Sequence, residues 1–528
     1  MAIRPSLKKG PRSEPQGDDA SADEAAPAGR PRQRDRLDVI SDPIGAAASD
    51  RWHPVGRPDL TFMIDEDPED WFAPIDRLIR EYDSIQPEAD LRLADLHGLG
   101  PAKAWAEGLV RDLRDYRAGR IALNDLDRGC LLAGPPGTGK STLARVLASE
   151  AEVSLIATSA ATWLSHSYLG HVIQAVRQDF AAARERAPCV LFIDEVDGLS
   201  DRAAVEARYR SYWTAFIGCV LEEVDGLRSQ PGVVVLGATN YLKAVDPALL
   251  RSGRLERVIH VPVPSTEDLA LILRQKLASD LPDTDLMPLA VLGLGGTGAD
   301  AERWVRSARQ RARHAGRGLT LEDLLAEIGG RADAVSTELR RRCAVHEAGH
   351  AVAAVASGEA VSVEISIAGH GRHAGTTRVA GGPEQPMTVE TARQILVYLL
   401  AGRAAEEVVF GGVSAGAGGA EESDLAMATR LAVRMVSAYG LAGPAPLVYL
   451  GANLPASHLP PHLLAEVRHE LNAAYKEATA LIRGHQTAVE QLATYLADRL
   501  AAPNAAIRAI LEAHSSTRGF PAGTGTRH

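Results

Sequence analysis

The stretch Gly134-Pro135-Pro136-Gly137-Thr138-Gly139-Lys140-Ser141 constrains this chain more than any other. It follows a short apolar run, residues 130–133, and leads into Thr142-Leu-Ala-Arg-Val-Leu-Ala-Ser-Glu150, which reads as a helix. Strand, glycine-rich loop and helix form the setting in which G-x-x-x-x-G-K-[ST] binds phosphate. The glycines let successive backbone N–H groups turn inward around an anion. The start of the helix adds unsatisfied N–H groups and the positive end of its dipole. Residues Gly134 to Thr142 are therefore the expected nucleotide contacts. Lys140 supplies a cation for the β- and γ-phosphates, and Ser141 a hydroxyl for Mg²⁺.

Further apolar runs at 153–157, 189–194 and 233–237, with 257–263 as a last candidate, alternate with helical stretches. Nearly continuous apolar strands of this kind predict a parallel sheet covered on both faces, an α/β domain. The run Cys189-Val-Leu-Phe-Ile-Asp194-Glu195 ends in two carboxylates. Asp194 suits the Mg²⁺ shell, and Glu195 can orient and deprotonate an attacking water. Asn240, closing 233–240, can reach the γ-phosphate or that water, or can serve only as a turn-former.

A length of 528 residues exceeds one core and predicts several domains. The organisation read here is a disordered tail (1–36), a small N-terminal module (37–93) with a short helix at 71–79, an α/β nucleotide domain (94–264), a helical lid (265–333), a second compact unit (334–514) and a frayed tail (515–528). The net charge of -11 argues against nucleic-acid binding across the whole surface. Four cysteines (Cys130, Cys189, Cys219, Cys343) without C-x-x-C spacing fit a reducing, cytoplasmic setting. No run is long and apolar enough for a transmembrane anchor, so none is expected.

The second unit opens with a helix carrying His346-Glu347-Ala-Gly-His350. Residues four apart share a helix face, so the two imidazoles can hold one Zn²⁺. Glu347 beside them can act as general base. The helix is otherwise small and apolar, and burying three such polar side chains on it is costly without a purpose. An alternating strand is expected at 361–367, available to a substrate chain by strand addition. The rest is expected to be mainly helical, through 389–410, 424–439 and 462–500. Cys343 lies one turn before His346, and a core thiol is the favoured reading for it. Periodicity does not identify a third zinc ligand.

Taken together, residues 134–141, Asp194-Glu195, Ala238-Thr-Asn240 and Asp246-Pro-Ala-Leu-Leu-Arg251-Ser-Gly-Arg254 resemble the AAA ATPase family. The resemblance implies that Arg251 and Arg254 reach a neighbouring subunit's nucleotide in a homo-hexameric ring. It implies adenine contacts at His97 and Gly98 and nucleotide sensing at Gly298-Ala299-Asp300. Tyr168-Leu169-Gly170 resembles the pore loop that grips extended polypeptide, although Trp163, Leu164 and Tyr168 also fit a helix's apolar face. Tyr398-Leu-Leu-Ala-Gly-Arg-Ala-Ala-Glu-Glu407 and Asp424-Leu-Ala-Met-Ala-Thr429 are similar to FtsH-type AAA metalloproteases. That similarity implies Asp424 as third ligand, with Glu421 and Glu422 as rivals, and Glu406 and Glu407 framing the site. The expected activity is ATP-dependent zinc endopeptidase action on unfolded or tagged proteins. The alternative is a remodelling ATPase whose second unit serves in binding or assembly. The chain departs from the family at residues 201–219, at Leu255 and at 369–373, where His370 and His373 read as solvated loop residues.

Overall fold

The computed structural model describes residues 91–514, apart from 123–124, 201–205, 207, 228–231, 331–335, 369–374, 382–385, 421, 445 and 453. The expectations for both tails, residues 37–90, His370, His373 and Glu421 lie outside the described residues.

After helix α1 (Pro101–Arg117), strands β1 (Gly129–Ala133), β2 (Ser154–Ser159), β3 (Cys189–Asp194), β4 (Val233–Thr239) and β5 (Arg257–His260) form one parallel sheet. Its order is β2-β3-β4-β1-β5. Along β3, Cys189, Leu191 and Ile193 enter one core with Trp163, Phe180 and Phe216. Val190 and Phe192 enter the other, with Leu109, Leu143 and Leu147. Side chains alternate between faces, and because helices cover both faces, every one of these residues is apolar. The helices are α1 and α2 (Lys140–Glu150) against one core and α3 (Ala160–Leu164), α4 (Leu169–Glu185) and α5 (Arg210–Leu227) against the other. Strand β5 stops at His260, short of the expected residue 263. Pro262 and Pro264 have no N–H to give a ladder.

The lid comprises α6 (Thr266–Leu277), α7 (Met287–Leu292), α8 (Gly298–His314) and α9 (Leu321–Gly329). They pack around Leu273, Leu289, Trp304 and Leu324. The turn before α8 lies on the Trp304 ring, and a Cβ at Gly296 would sit 2.4 Å from it. Thr297 and Asp300 close a capping box that fixes the start of α8.

The second unit contains α10 (Thr337–Ala356), β6 (Ala360–Ser366), β7 (Thr376–Gly381), α11 (Val389–Phe410), α12 (Asp424–Ser437), α13 (Pro461–Gly484), α14 (Gln486–Arg499), β8 (Ala501–Ala502) and α15 (Asn504–Ala513). One core of Ala, Val and Leu joins these helices. Three expectations need correction. The unit carries a three-stranded sheet, β7-β6-β8, where one strand was expected. Strand β6 is its centre, with β7 on one side and β8 and the Asn504 side chain on the other, so it has no edge to offer a substrate. The 462–500 stretch is two helices, which break at His485.

Lid and second unit meet along a packed seam. Ser366 Oγ donates to the Leu292 carbonyl at 2.6 Å, and Thr266 Oγ1 bonds the Glu364 carboxylate. Ala368 belongs to the lid core, with Leu500 and Ala501 packed against it. Among the described residues, no helix is long and apolar enough to cross a membrane.

Candidate functional site: a nucleotide cleft and a metal centre

The parallel register carries the loop after β1, the carboxylates after β3 and Asn240 after β4 to one edge of the sheet, where open α/β sheets bind ligands. The first loop N–H, on Gly134, donates to Thr239 O at 3.1 Å. Gly137 and Gly139 have φ of +78° and +91°, values that only glycine adopts without strain. The buried Lys140 ammonium donates to Gly134 O and Pro135 O at 2.8 Å and to Asn240 Oδ1 at 2.9 Å. Burial pulls its pKa down, and Asp194 and Asp197 oppose that shift. Ser141 Oγ donates to Asp194 Oδ2 at 3.0 Å, so the two groups expected around Mg²⁺ are adjacent. Glu195 is exposed beside them with φ +53°, an αL conformation uncommon outside glycine.

A cleft of about 440 Å³ lies over this edge, and Pro136–Thr142, Asp194, Glu195, Asn240, His97 and Gly298–Ala299 line it. Gly98 is kept side-chain-free by a φ of +76° and by Pro264, 3.0 Å from where its Cβ would stand. Ala299 N donates to Gly137 O at 3.2 Å, which closes the lid onto the phosphate loop. Sequence reasoning missed the lid residues Ile272, Gln275, Lys276 and Glu302, which complete the cleft. They lie on ordinary amphipathic helices, and no local signal marks them.

The other expected AAA residues separate into distinct environments. Tyr168 is 62% exposed at the N-cap of α4, with Leu169 and Gly170 opening the helix, whereas Trp163 is fully buried. The shared apolar face considered for these two residues is therefore absent. Arg251 is exposed, and among the described residues its side chain makes no hydrogen bond or ion pair. Arg254 is held within its own chain. Its guanidinium grips Asp225 through Nε at 2.9 Å and Nη2 at 2.7 Å, and donates to Ala248 O at 2.7 Å.

In the second unit, His346 and His350 project from α10 toward Asp424 at the start of α12. His346 Nε2 stands 3.2 Å from His350 Nε2 and 3.1 Å from Asp424 Oδ2, and His350 Nε2 is 3.4 Å from the same oxygen. Bonds of about 2.0–2.1 Å to tetrahedral zinc require ligand atoms about 3.3–3.4 Å apart. The triangle fits that requirement. The other ring nitrogens are fixed. His346 Nδ1 donates to Glu406 Oε1 and His350 Nδ1 to Tyr398 O, both at 2.9 Å. These bonds hold the tautomer that presents Nε2 to a metal. A Cβ at Gly402 of α11 would lie 2.6 Å from both Nε2 atoms, so the space they face is kept open by a missing side chain. Reciprocally, a Cβ at Gly349 of α10 would lie 2.6 Å from Ala401 O.

Burial pulls the His346 imidazole down, but the Asp424 and Glu406 carboxylates outweigh it and push its pKa to about 10. Burial favours the neutral Asp424 carboxyl, yet the two histidines hold it well below the usual range. Glu347, 8% exposed, accepts a 2.6 Å hydrogen bond from Thr377 Oγ1. Among the described residues, His346, His350 and Asp424 are the one group with metal-ligand geometry. Glu422 is exposed and faces a pocket lined by Pro135, Pro136 and Tyr241 instead. Glu406 frames the histidines, whereas Glu407 bonds the Tyr475 hydroxyl. Cys343 packs against the core, and burial together with Glu347 and Glu406 pushes its thiol up to about 11.

Comparison with known proteins gives two family matches, the ATPase family associated with various cellular activities (AAA) over residues 130–263 and peptidase family M41 over residues 333–502. The ATP-dependent zinc metalloprotease FtsH 3 of Sphaerobacter thermophilus is 38% identical over 363 residues, covering 66% of this chain and 72% of that protein. The chain belongs to the FtsH family of ATP-dependent zinc metalloproteases. The FtsH of Acidothermus cellulolyticus is 36% identical over 441 residues, 77% of this chain and 65% of that protein. The ATP-dependent zinc metalloprotease YME1 homolog of Schizosaccharomyces pombe is 32% identical over 431 residues, 78% of this chain and 60% of that protein. The chain thus spans about two thirds of the length of these FtsH relatives. The cofactors of this FtsH-type chain are Zn²⁺ and ATP with Mg²⁺, and the donor sets described above suit each of them.

Proposed function

We infer that this chain is an ATP-driven zinc endopeptidase that unfolds protein substrates, draws them in and cleaves them. The observation that carries the reading is the triangle of His346, His350 and Asp424 on the same chain as the phosphate loop.

In the nucleotide cleft, the loop N–H groups and Lys140 hold the phosphates, and Ser141 and Asp194 hold Mg²⁺. Glu195 takes the proton of the attacking water. Asn240 steers the γ-phosphate end, and His97 and Gly98 border the adenine. Arg251 acts in trans on the neighbour's γ-phosphate, where an arginine stabilises transferred charge. Arg254 supports it from within its own subunit. The trans role calls for an oligomer, proposed as a homo-hexamer with Tyr168, Leu169 and Gly170 lining its pore. The free cysteines fit a cytoplasmic location.

At the metal centre, His346, His350 and Asp424 would hold zinc, which supplies Lewis-acid activation of water and of the scissile carbonyl. Glu347 Oε1 receives the proton from water and returns it to the leaving amine. Helices α10 and α11 wall the site. Strand β7, paired on one side only among the described residues, offers the extended substrate an edge of backbone N–H and C=O groups.

Two substitutions test the assignment. Glu347→Gln should keep zinc and ATP hydrolysis and lose casein digestion. Glu195→Gln should bind ATP without turning it over and lose casein digestion while still cleaving a short unstructured peptide. Casein digestion by Glu347→Gln at the parental rate would refute the assignment.

A further inference from the structure

The strand that sequence reasoning missed has a consequence for the general base. Strand β7 opens with Thr376-Thr377, directly after Gly375, and Thr377 sits opposite Ile365 of β6. Side-chain alternation turns Thr377 toward α10 and Thr376 the other way, toward Gly295 of the lid. Thr377 Oγ1 lies 2.6 Å from Glu347 Oε2 and 3.3 Å from the Glu347 carbonyl. The hydroxyl has one hydrogen, and the shorter, charge-assisted contact takes it. On the other side of the carboxylate stands Gly375. A Cβ there would lie 2.6 Å from Glu347 Oε1, 2.8 Å from Cγ and 2.9 Å from Cδ. The carboxylate is thus held between a donor on one oxygen and bare backbone beside the other.

We propose that Thr377 is a positioning residue for the peptidase reaction: its hydroxyl pins Glu347 Oε2 so that Oε1 is presented to the reacting water. The terminal torsion of a glutamate is broad and lacks sharp rotamer wells, so an unpinned carboxylate spreads over many orientations. A proton-transfer group off its productive geometry loses rate steeply. Among the described residues, the Thr377 hydroxyl bonds Glu347 and none of the proposed zinc ligands. Its removal therefore changes turnover and leaves metal and substrate binding as they were. The inference rests on Glu347 being the base.

The test compares Thr377→Val, which keeps shape and strand propensity, with Thr377→Ser, which keeps the hydroxyl. A short unstructured fluorogenic peptide serves as substrate, so that unfolding plays no part. Thr377→Val should lose on the order of 10- to 100-fold in kcat, as partners that orient catalytic side chains commonly do. KM, zinc per chain and ATP hydrolysis should stay at parental values. Thr377→Ser should recover most of the rate. Crystal structures of the metal-free parent and Thr377→Val should show the Glu347 carboxylate ordered in the first and displaced in the second. Gly375→Ala, which crowds the other oxygen, should also lower kcat with zinc retained; if Thr377→Val does not fold, Thr377→Ala, read beside Thr377→Ser, takes its place. Parental kcat in Thr377→Val, equal loss in the Val and Ser variants, or a rise in KM alone would each overturn the proposal. Glu347→Gln in the same assay separates the two levels: if it is active, the base assignment itself fails, and if it is inactive beside a fully active Thr377→Val, only the positioning role fails.

Discussion

Replacing Gly402 with alanine adds one methyl group at the point where α11 faces the paired imidazoles. That carbon would lie 2.6 Å from His346 Nε2 and from His350 Nε2, where ordinary contact begins at 3.4 Å. The rings or the helix must give by about 0.8 Å, the difference between those distances, and overpacking of this kind costs about 1–3 kcal/mol. Metal-free rings can turn aside and escape most of the strain. Rings bound to zinc cannot, because ligation fixes Nε2 while Glu406 and Tyr398 O fix Nδ1. The cost therefore falls on the zinc-loaded state, and at about 1.4 kcal/mol per factor of ten the zinc dissociation constant should rise about 5- to 150-fold. Competition titration against a chromogenic chelator measures it directly. ATP hydrolysis should be unchanged, since the nucleotide cleft shares no residue with the contact. A zinc affinity within threefold of the parent would refute the reasoning, because the methyl group would then have room that the structure does not provide.

The two arginines should part company: Arg254→Ala breaks the Asp225 pair and should lower stability by about 1–2 kcal/mol, read as a fall in Tm, because the pair is partly exposed. Arg251→Ala should leave Tm unchanged and abolish ATP hydrolysis, and mixing it with Glu195→Gln subunits should restore some, since some sites then combine an intact arginine with an intact base. No recovery would argue against action in trans. Zinc binding should release protons: the raised pKa of His346 keeps the metal-free ring protonated below about pH 10, so zinc must displace that proton at neutral pH. Calorimetry in two buffers of different ionisation heat should show about one proton per zinc near neutrality, and affinity should climb with pH and level off as pH passes about 10. A binding heat independent of buffer would contradict this.

The parts of the protein legible in the sequence are those whose chemistry is contiguous. The phosphate loop, the Asp194-Glu195 strand end and the His346–His350 helix each declare themselves within a few residues, because one turn or one strand supplies the whole geometry. Asp424 is different. It stands 78 residues from His346 and reaches the histidines only after α11 has been laid between them, so family resemblance, not spacing, pointed to it. Lid residues Gln275 and Glu302 look like the polar face of any surface helix until the fold closes them over the cleft. Strand β7 escaped because Thr-Thr-Arg-Val-Ala-Gly at a half-exposed edge has little apolar alternation to read, and with it went Thr377. Strand β8 is two residues long and exists only through its pairing with β6. The different surroundings of Arg251 and Arg254 are not legible for the same reason: Asp225, which holds Arg254, lies 29 residues before it, on helix α5.

The seam between lid and second unit bears on how such a chain can be dissected. A cut near residue 333, where the peptidase family match begins, separates two sequence families but falls inside one packed body. An ATPase fragment ending there would lose the Ser366 donor to the Leu292 carbonyl and would strip Ala368, Leu500 and Ala501 from its lid. The complementary fragment would bare the same surface from the other side. Each piece would carry a raw apolar face with orphaned polar groups. Loss of activity in either would then report damage at the cut and would not show that the missing partner takes part in the chemistry.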